Sequence, residues 1–147
     1  ESGYRAGTEN ISGIVGLAVA TKLIKENLPK RIDHLKHLEK RFKENLNNIN
    51  SKILYNGHPK IRVPGLISMT IPGYRSDIMM AKLDRENLEV SSGSACGSGS
   101  IKPSKVLREI GHKDEINVCT LRISFGRDNS SEDIDRLANA MISIINE

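Results

Sequence analysis

Residues 118–145 read VCTLRISFGRDNSSEDIDRLANAMISII, and this stretch decides the predicted fold. Residues 118–125 alternate apolar and polar side chains at their centre, which is typical of a β-strand. Ser130 and Asp133 follow with the spacing of a helix cap. The apolar residues after the cap recur every three or four positions, which predicts a helix with one buried face. They are Ile134, Leu137, Ala138, Met141, Ile142 and Ile145.

The segments before residue 118 continue this pattern. Short strands are predicted at residues 53–55 and 66–71, and helices at residues 76–85 and 103–110, the last ended by Gly111. Strands alternating with one-sided helices indicate an α/β fold, here an α+β sandwich. We therefore predict a short, mainly antiparallel sheet covered by helices.

Two further helices are predicted near the start of the chain. Residues 12–27 carry apolar side chains on most faces, which predicts a well-buried helix. Pro29 is expected to end it and to begin an amphipathic surface helix over residues 28–49. We interpret the basic stretch at residues 30–43 as the solvated face of this second helix.

The composition limits the classes of function. The 147 residues, 37% of them hydrophobic, suit one domain, and the 22 basic residues are mixed with 18 acidic ones, which argues against nucleic-acid binding. No apolar run approaches the about 20 residues of a membrane span, and no signal peptide is recognisable. Two cysteines cannot build a disulfide framework, so a reducing, cytoplasmic setting is expected. The chain opens on Glu1 rather than Met, which we interpret as a cut through a longer protein.

The two cysteines have different surroundings. Cys96 lies in residues 91–100, where every position except Ala95 and Cys96 is Ser or Gly. Because nothing there could bury a thiol, a reactive cysteine is favoured, although an incidental residue in a linker stays open. Cys119 is expected to be structural core. Neither cysteine nor any of the four histidines has the spacing of a metal site, so no metal is predicted.

Arg122 alternates with Leu121 and Ile123 in the last predicted strand. If those two residues face the core, the guanidinium faces away from it. An arginine held on a rigid strand is suited to a bidentate contact with a carboxylate. A surface arginine with a salt-bridge partner is the alternative, and the residues alone leave both open.

Four motifs in this order resemble NifS-like cysteine desulfurases. They are residues 5–10 (RAGTEN), 91–99 (SSGSACGSG), 104–111 (SKVLREIG) and 122–127 (RISFGR). The resemblance implies a fold-type I enzyme that depends on pyridoxal 5'-phosphate and works as a homodimer. Residues 1–147 would then be its small C-terminal domain, with the end of the large domain at about residues 1–20.

The resemblance also implies the roles of single residues. Cys96 is the nucleophile that takes sulfur from L-cysteine, leaving L-alanine and a persulfide. Arg122 grips the substrate carboxylate, and Thr8 reaches the cofactor phosphate of the partner subunit. The sulfur then passes to an acceptor or scaffold protein, in iron-sulfur cluster assembly or a thiolation pathway.

Some features depart from the family or leave alternatives. The Schiff-base lysine of the family lies in an upstream segment that nothing here matches, so the chain alone is expected to be inactive. Residues 128–130 (DNS) also replace the usual Thr or Phe-Thr. A selenocysteine lyase, another class-V aminotransferase relative or a non-catalytic thiol module remain the alternatives.

Overall fold

A computed structural model describes residue 3 and residues 6–49, 52–92 and 103–146. The chain divides into two compact units, Glu1–Asp33 and His34–Glu147. The described elements are α1 (Ile11–Asn45), a 3-10 turn (Leu46–Asn48), β1 (Leu54–Tyr55), β2 (Leu66–Thr70), α2 (Ser76–Arg85), β3 (Ser91–Ser92), α3 (Lys105–Glu109), α4 (Asp114–Asn117), β4 (Thr120–Ser124) and α5 (Ser131–Asn146).

The strands form one four-stranded sheet in the order β1-β2-β4-β3, and all of its pairs are antiparallel. On the β2 and β4 strands, Ile67 lies opposite Ile123 and Met69 lies opposite Leu121. These four side chains are at most 2% exposed and join one apolar core with α2, α5 and the second unit's part of α1. The predicted α/β fold with a small antiparallel sheet and helices is confirmed.

Helix α5 begins as the sequence predicts. The backbone N–H of Ser130 donates to Asp133 Oδ2 at 2.8 Å, and the N–H of Asp133 donates to Ser130 Oγ at 3.2 Å. This reciprocal cap satisfies two donors that would otherwise lack partners at a helix start. The helix then buries the predicted apolar side chains, apart from Ile142, which is half-buried.

The prediction that Pro29 separates two helices is wrong. Helix α1 runs without a break from Ile11 to Asn45 and contains Pro29. A proline removes one backbone hydrogen bond at a cost of about 3 kcal/mol, but the bonds on either side can still form. The helix therefore continues through Pro29.

The prediction of a buried helix over residues 12–27 is also wrong. The large apolar side chains between residues 11 and 28 are 45–70% exposed. Within unit 1, α1 is the one regular element among the described residues, and a single helix cannot cover its own side chains. The exposed residues are Ile11, Ile14, Val15, Leu17, Val19, Leu23, Ile24 and Leu28.

Two short elements differ from the sequence prediction. Helix α4 was not predicted, because a single turn of four residues has too little apolar periodicity to be recognised. The Ser and Gly composition of residues 91–100 favours neither helix nor strand, yet Ser91 and Ser92 pair with Arg122 and Leu121 as strand β3. Pairing with an existing strand edge supplies the backbone hydrogen bonds that these small side chains do not favour by themselves.

Candidate functional site

Arg122 lies on the sheet face opposite to the core. It pairs with Ser68 of β2 on one side and with Ser91 of β3 on the other. Side chains directly opposite one another share a face, so Ser68, Arg122 and Ser91 lie together. We call this side of the sheet the polar face. The predicted outward orientation of Arg122 is confirmed, since Leu121 and Ile123 are buried and Arg122 is exposed.

The guanidinium of Arg122 is available for binding. Within the described part of the chain it forms no hydrogen bond or ion pair, whereas Arg41, Arg75 and Arg108 each make a bidentate contact with a carboxylate. The Ser91 hydroxyl donates to the backbone carbonyl of Arg122 at 3.2 Å, which ties β3 to β4 at this position. A planar donor fork on an ordered strand is suited to a carboxylate ligand.

A row of polar side chains continues from Arg122 across the sheet. Asn56 follows β1, and its amide nitrogen donates to Ser68 Oγ at 3.1 Å and to Thr70 Oγ1 at 2.9 Å. Thr70 Oγ1 and Thr120 Oγ1 are 2.6 Å apart, and both residues are buried. The sequence analysis did not single out these residues. The signal was the alternation of Ser68 and Thr70 with apolar residues in β2.

Thr8 lies in unit 1, shortly before helix α1, and is exposed. Asn10 caps the helix, because its Oδ1 accepts from the N–H of Gly13 at 3.0 Å and from Ser12 Oγ at 3.1 Å. The first turn of α1 contains no acidic residue. The start of α1 carries the positive end of the helix dipole, and Glu9 is the acidic residue next to Thr8.

The structure describes Cys119 but not Cys96. Cys96 and its neighbours lie outside the described residues, so the reactivity of Cys96 stays a prediction. Cys119 is a free thiol, 5% exposed, and its Sγ donates to the Glu115 carbonyl at 3.5 Å. Its predicted place in the buried core is confirmed, although it lies just before β4 rather than within it.

Thr8 lies in unit 1, Arg122 lies in unit 2, and Cys96 lies outside the described residues. That these three residues form one site therefore stays a prediction. Over residues 6–49, 52–92 and 103–146, no group of His, Cys, Asp or Glu side chains is arranged to hold a metal ion. In the same ranges, no helix is long and apolar enough to cross a membrane.

Comparisons with known proteins bear on the identity of the chain. The family model for aminotransferase class-V matches residues 1–137. Cysteine desulfurase IscS of Methanosarcina thermophila is 38% identical over 96% of this chain and 35% of its own length. Cysteine desulfurase IscS 1 of Archaeoglobus fulgidus is 33% identical over 99% of this chain and 38% of its own length.

Solved structures agree with these matches. A NifS-like protein from Rickettsia africae superposes with a TM-score of 0.83 at 26% identity, over 97% of this chain and 37% of that one. The apo cysteine desulfurase of Thermococcus onnurineus superposes with a TM-score of 0.73 at 25% identity, over 97% of this chain and 33% of that one. The chain spans about a third of the length of the relatives it matches. The resemblance predicted from the motifs is confirmed, and the chain belongs to the class-V aminotransferase family.

Proposed function

We propose that the complete protein is a pyridoxal-phosphate-dependent cysteine desulfurase and that this chain is its C-terminal part. The observation that carries the proposal is the exposed guanidinium of Arg122, which has no partner among the described residues. Relatives named cysteine desulfurase match nearly the whole chain, which supports the choice of reaction. The exposed position of Arg122 on the polar face supports its proposed role as a clamp for the carboxylate of L-cysteine.

The cofactor fits the residues available at the start of α1. The Thr8 hydroxyl and the helix N-terminus would hold the phosphate, in the resemblance that of the partner subunit's cofactor. When bound, pyridoxal phosphate supplies the electron sink that weakens the carbon–sulfur bond of the substrate. The lysine that anchors it belongs to an upstream segment of the relatives.

The chemistry proposed for this chain's own residues is a sulfur transfer. Arg122 holds the substrate carboxylate and so fixes the position of the substrate sulfur. The Cys96 thiolate attacks that sulfur, forming a sulfur–sulfur bond as the carbon–sulfur bond breaks. The electron pair of the broken bond stays on the substrate carbon, which takes up a proton to give L-alanine. Cys96 is left as a persulfide, whose outer sulfur then passes to a thiol of a sulfur acceptor or scaffold protein. The resemblance implies a homodimer, and the cysteine usage favours the cytoplasm.

The test is activity of the complete gene product. With pyridoxal phosphate and L-cysteine it should release L-alanine and sulfide in the presence of a thiol reductant. Strong preference for L-selenocysteine would instead favour a selenocysteine lyase. Absence of turnover with either substrate would leave a non-catalytic thiol module, and the proposal would be wrong.

A further inference from the structure

The hydrogen bonds around Ser68 leave its hydroxyl proton without an acceptor. Asn56 donates one amide hydrogen to Ser68 Oγ and the other to Thr70 Oγ1. Ser68 Oγ therefore acts as an acceptor toward Asn56. Among the described residues no group accepts from Ser68, so its hydroxyl hydrogen remains free to donate to a ligand.

The free donor lies beside Arg122. Ser68 and Arg122 are directly opposite on β2 and β4, where Cβ atoms are about 5 Å apart. Ser68 is half-buried, and both side chains project from the polar face. The hydroxyl of Ser91, on the other side of Arg122, already donates to the Arg122 carbonyl. Of the two serines directly opposite Arg122, Ser68 is therefore the one whose hydroxyl hydrogen has no acceptor among the described residues.

Asn56 holds this arrangement at an energetic cost. Its Oδ1 is buried and accepts no hydrogen bond in the described part of the chain. An unsatisfied buried acceptor costs stability, and the two hydrogen bonds made by the amide nitrogen are the contacts that this side chain provides in return. That end orients the hydroxyls of Ser68 and Thr70, and Thr70 is in turn bonded to Thr120.

We infer that Ser68 is a second donor to the substrate carboxylate held by Arg122, and that Asn56 is a positioning residue that turns the Ser68 hydroxyl toward it. This inference rests on the proposed function, because it takes the ligand of Arg122 to be the carboxylate of L-cysteine. The guanidinium supplies charge and two parallel donors, and the hydroxyl adds a neutral third donor from the neighbouring strand. Such a site selects an amino acid over the corresponding amine.

The experiment uses the complete enzyme and steady-state kinetics with L-cysteine. Ser68→Ala should raise KM by about tenfold or more, as expected for a lost hydrogen bond to a charged group, while kcat stays within about twofold. Ser68→Thr and Ser68→Val form a matched pair of equal shape, and only the variant with a hydroxyl should retain the lower KM. Ser124→Ala, an exposed serine of the same face, is the control and should leave KM unchanged.

A second measurement separates binding from folding. Cysteamine is cysteine without its carboxylate, so its inhibition constant should be the same for the parent enzyme and Ser68→Ala. Asn56→Ala should raise KM for L-cysteine in the parent enzyme but have no further effect in the Ser68→Ala background. A structural defect would weaken cysteine and cysteamine alike.

The outcomes also separate this inference from the proposed function. If Arg122→Ala raises KM but Ser68→Ala and Ser68→Val do not, the inference about Ser68 and Asn56 is wrong and the clamp stands. If cysteamine inhibition weakens as much as cysteine binding, the inference is likewise wrong. If Arg122→Ala leaves KM unchanged, Arg122 does not bind the substrate carboxylate, and the inference about Ser68 is wrong as well.

Discussion

Arg41 of α1 and Asp135 of α5 form a bidentate ion pair that joins two helices of the second unit. Arg41 Nε donates to Asp135 Oδ1 at 2.7 Å, and Nη2 donates to Oδ2 at 2.6 Å. Asn45 donates to the same Oδ1 at 2.7 Å. Three donors on one carboxylate favour its ionised form, and they lower the pKa of Asp135 from 3.8 to about 2, with the Arg41 hydrogen bond as the largest cause.

This low pKa predicts a defined pH dependence of stability. Because the folded protein binds the Asp135 proton less tightly than the unfolded chain, the contribution is complete above the unfolded pKa of 3.8 and is lost as pH falls toward about 2. Asp135→Asn should therefore make the unfolding free energy less dependent on pH in this window. Urea unfolding at several pH values measures this pH dependence. Asp128→Asn is the control, because the Asp128 side chain is 84% exposed. Equal pH profiles for Asp135→Asn and the parent would contradict the prediction.

Glu39 predicts a second effect on stability. Its side chain is 7% exposed, pairs with Lys43 at 2.7 Å and with Arg62, and lies 3.4 Å from the N–H of Gly65. Glu39→Ala removes the acceptor of all these donors and should destabilise the protein by about 1–3 kcal/mol. Chemical denaturation gives the value.

Helix α1 also offers a matched control for Glu39. Glu44 is 59% exposed and lies 3.8 Å from Lys40, so Glu44→Ala should change the unfolding free energy by no more than about 0.5 kcal/mol. Equal losses in the two variants would show that the buried charge cluster is not what stabilises this part of the helix.

Arg122 predicts an effect on substrate capture. In the complete enzyme, Arg122→Ala should raise KM for L-cysteine by about a hundredfold, because a charged, bidentate contact to the carboxylate is lost. Arg122→Lys should restore little, since an ammonium cannot reproduce the planar donor fork. Thermal unfolding should change little, because the side chain is exposed and without a described partner. An unchanged KM with a large loss of stability would assign Arg122 a structural role instead.

Local patterns predicted those elements whose cause is local. The cap and apolar stripe of α5, the outward orientation of Arg122 and the burial of Cys119 depend on neighbouring residues, so they could be read from the sequence. The prediction at Pro29 is wrong because a proline that separates two helices and a proline tolerated within one helix look alike in a sequence.

The polar face could not be assembled from the sequence in the same way. The hydrogen bonds from Asn56 to β2 span 12 and 14 residues, and the one between Thr70 and Thr120 spans 50. These contacts follow from strand register, which no local pattern specifies. The prediction of a buried helix over residues 12–27 is wrong for a related reason. An apolar pattern indicates which side chains favour burial, but it does not show which element packs against them.

Cys119 provides the internal control for the proposed nucleophile. Its thiol is 5% exposed and bonded to a carbonyl, so it should react slowly with a thiol reagent under native conditions. Cys119→Ser should cost packing energy at most and leave turnover of L-cysteine unchanged. Rapid labelling of Cys119, ahead of Cys96, would contradict the assignment.

The central claim is that Cys96 receives the sulfur of L-cysteine, and mass spectrometry of the complete enzyme tests it most directly. After incubation with pyridoxal phosphate and L-cysteine, the peptide containing Cys96 should gain the mass of one sulfur atom, which a thiol reductant removes. The gain should be absent in Cys96→Ser, which should also release no L-alanine, and present in Cys119→Ser. A Cys96→Ser enzyme that still releases sulfur from L-cysteine at the parent rate, or a persulfide found on Cys119 instead, would contradict the account.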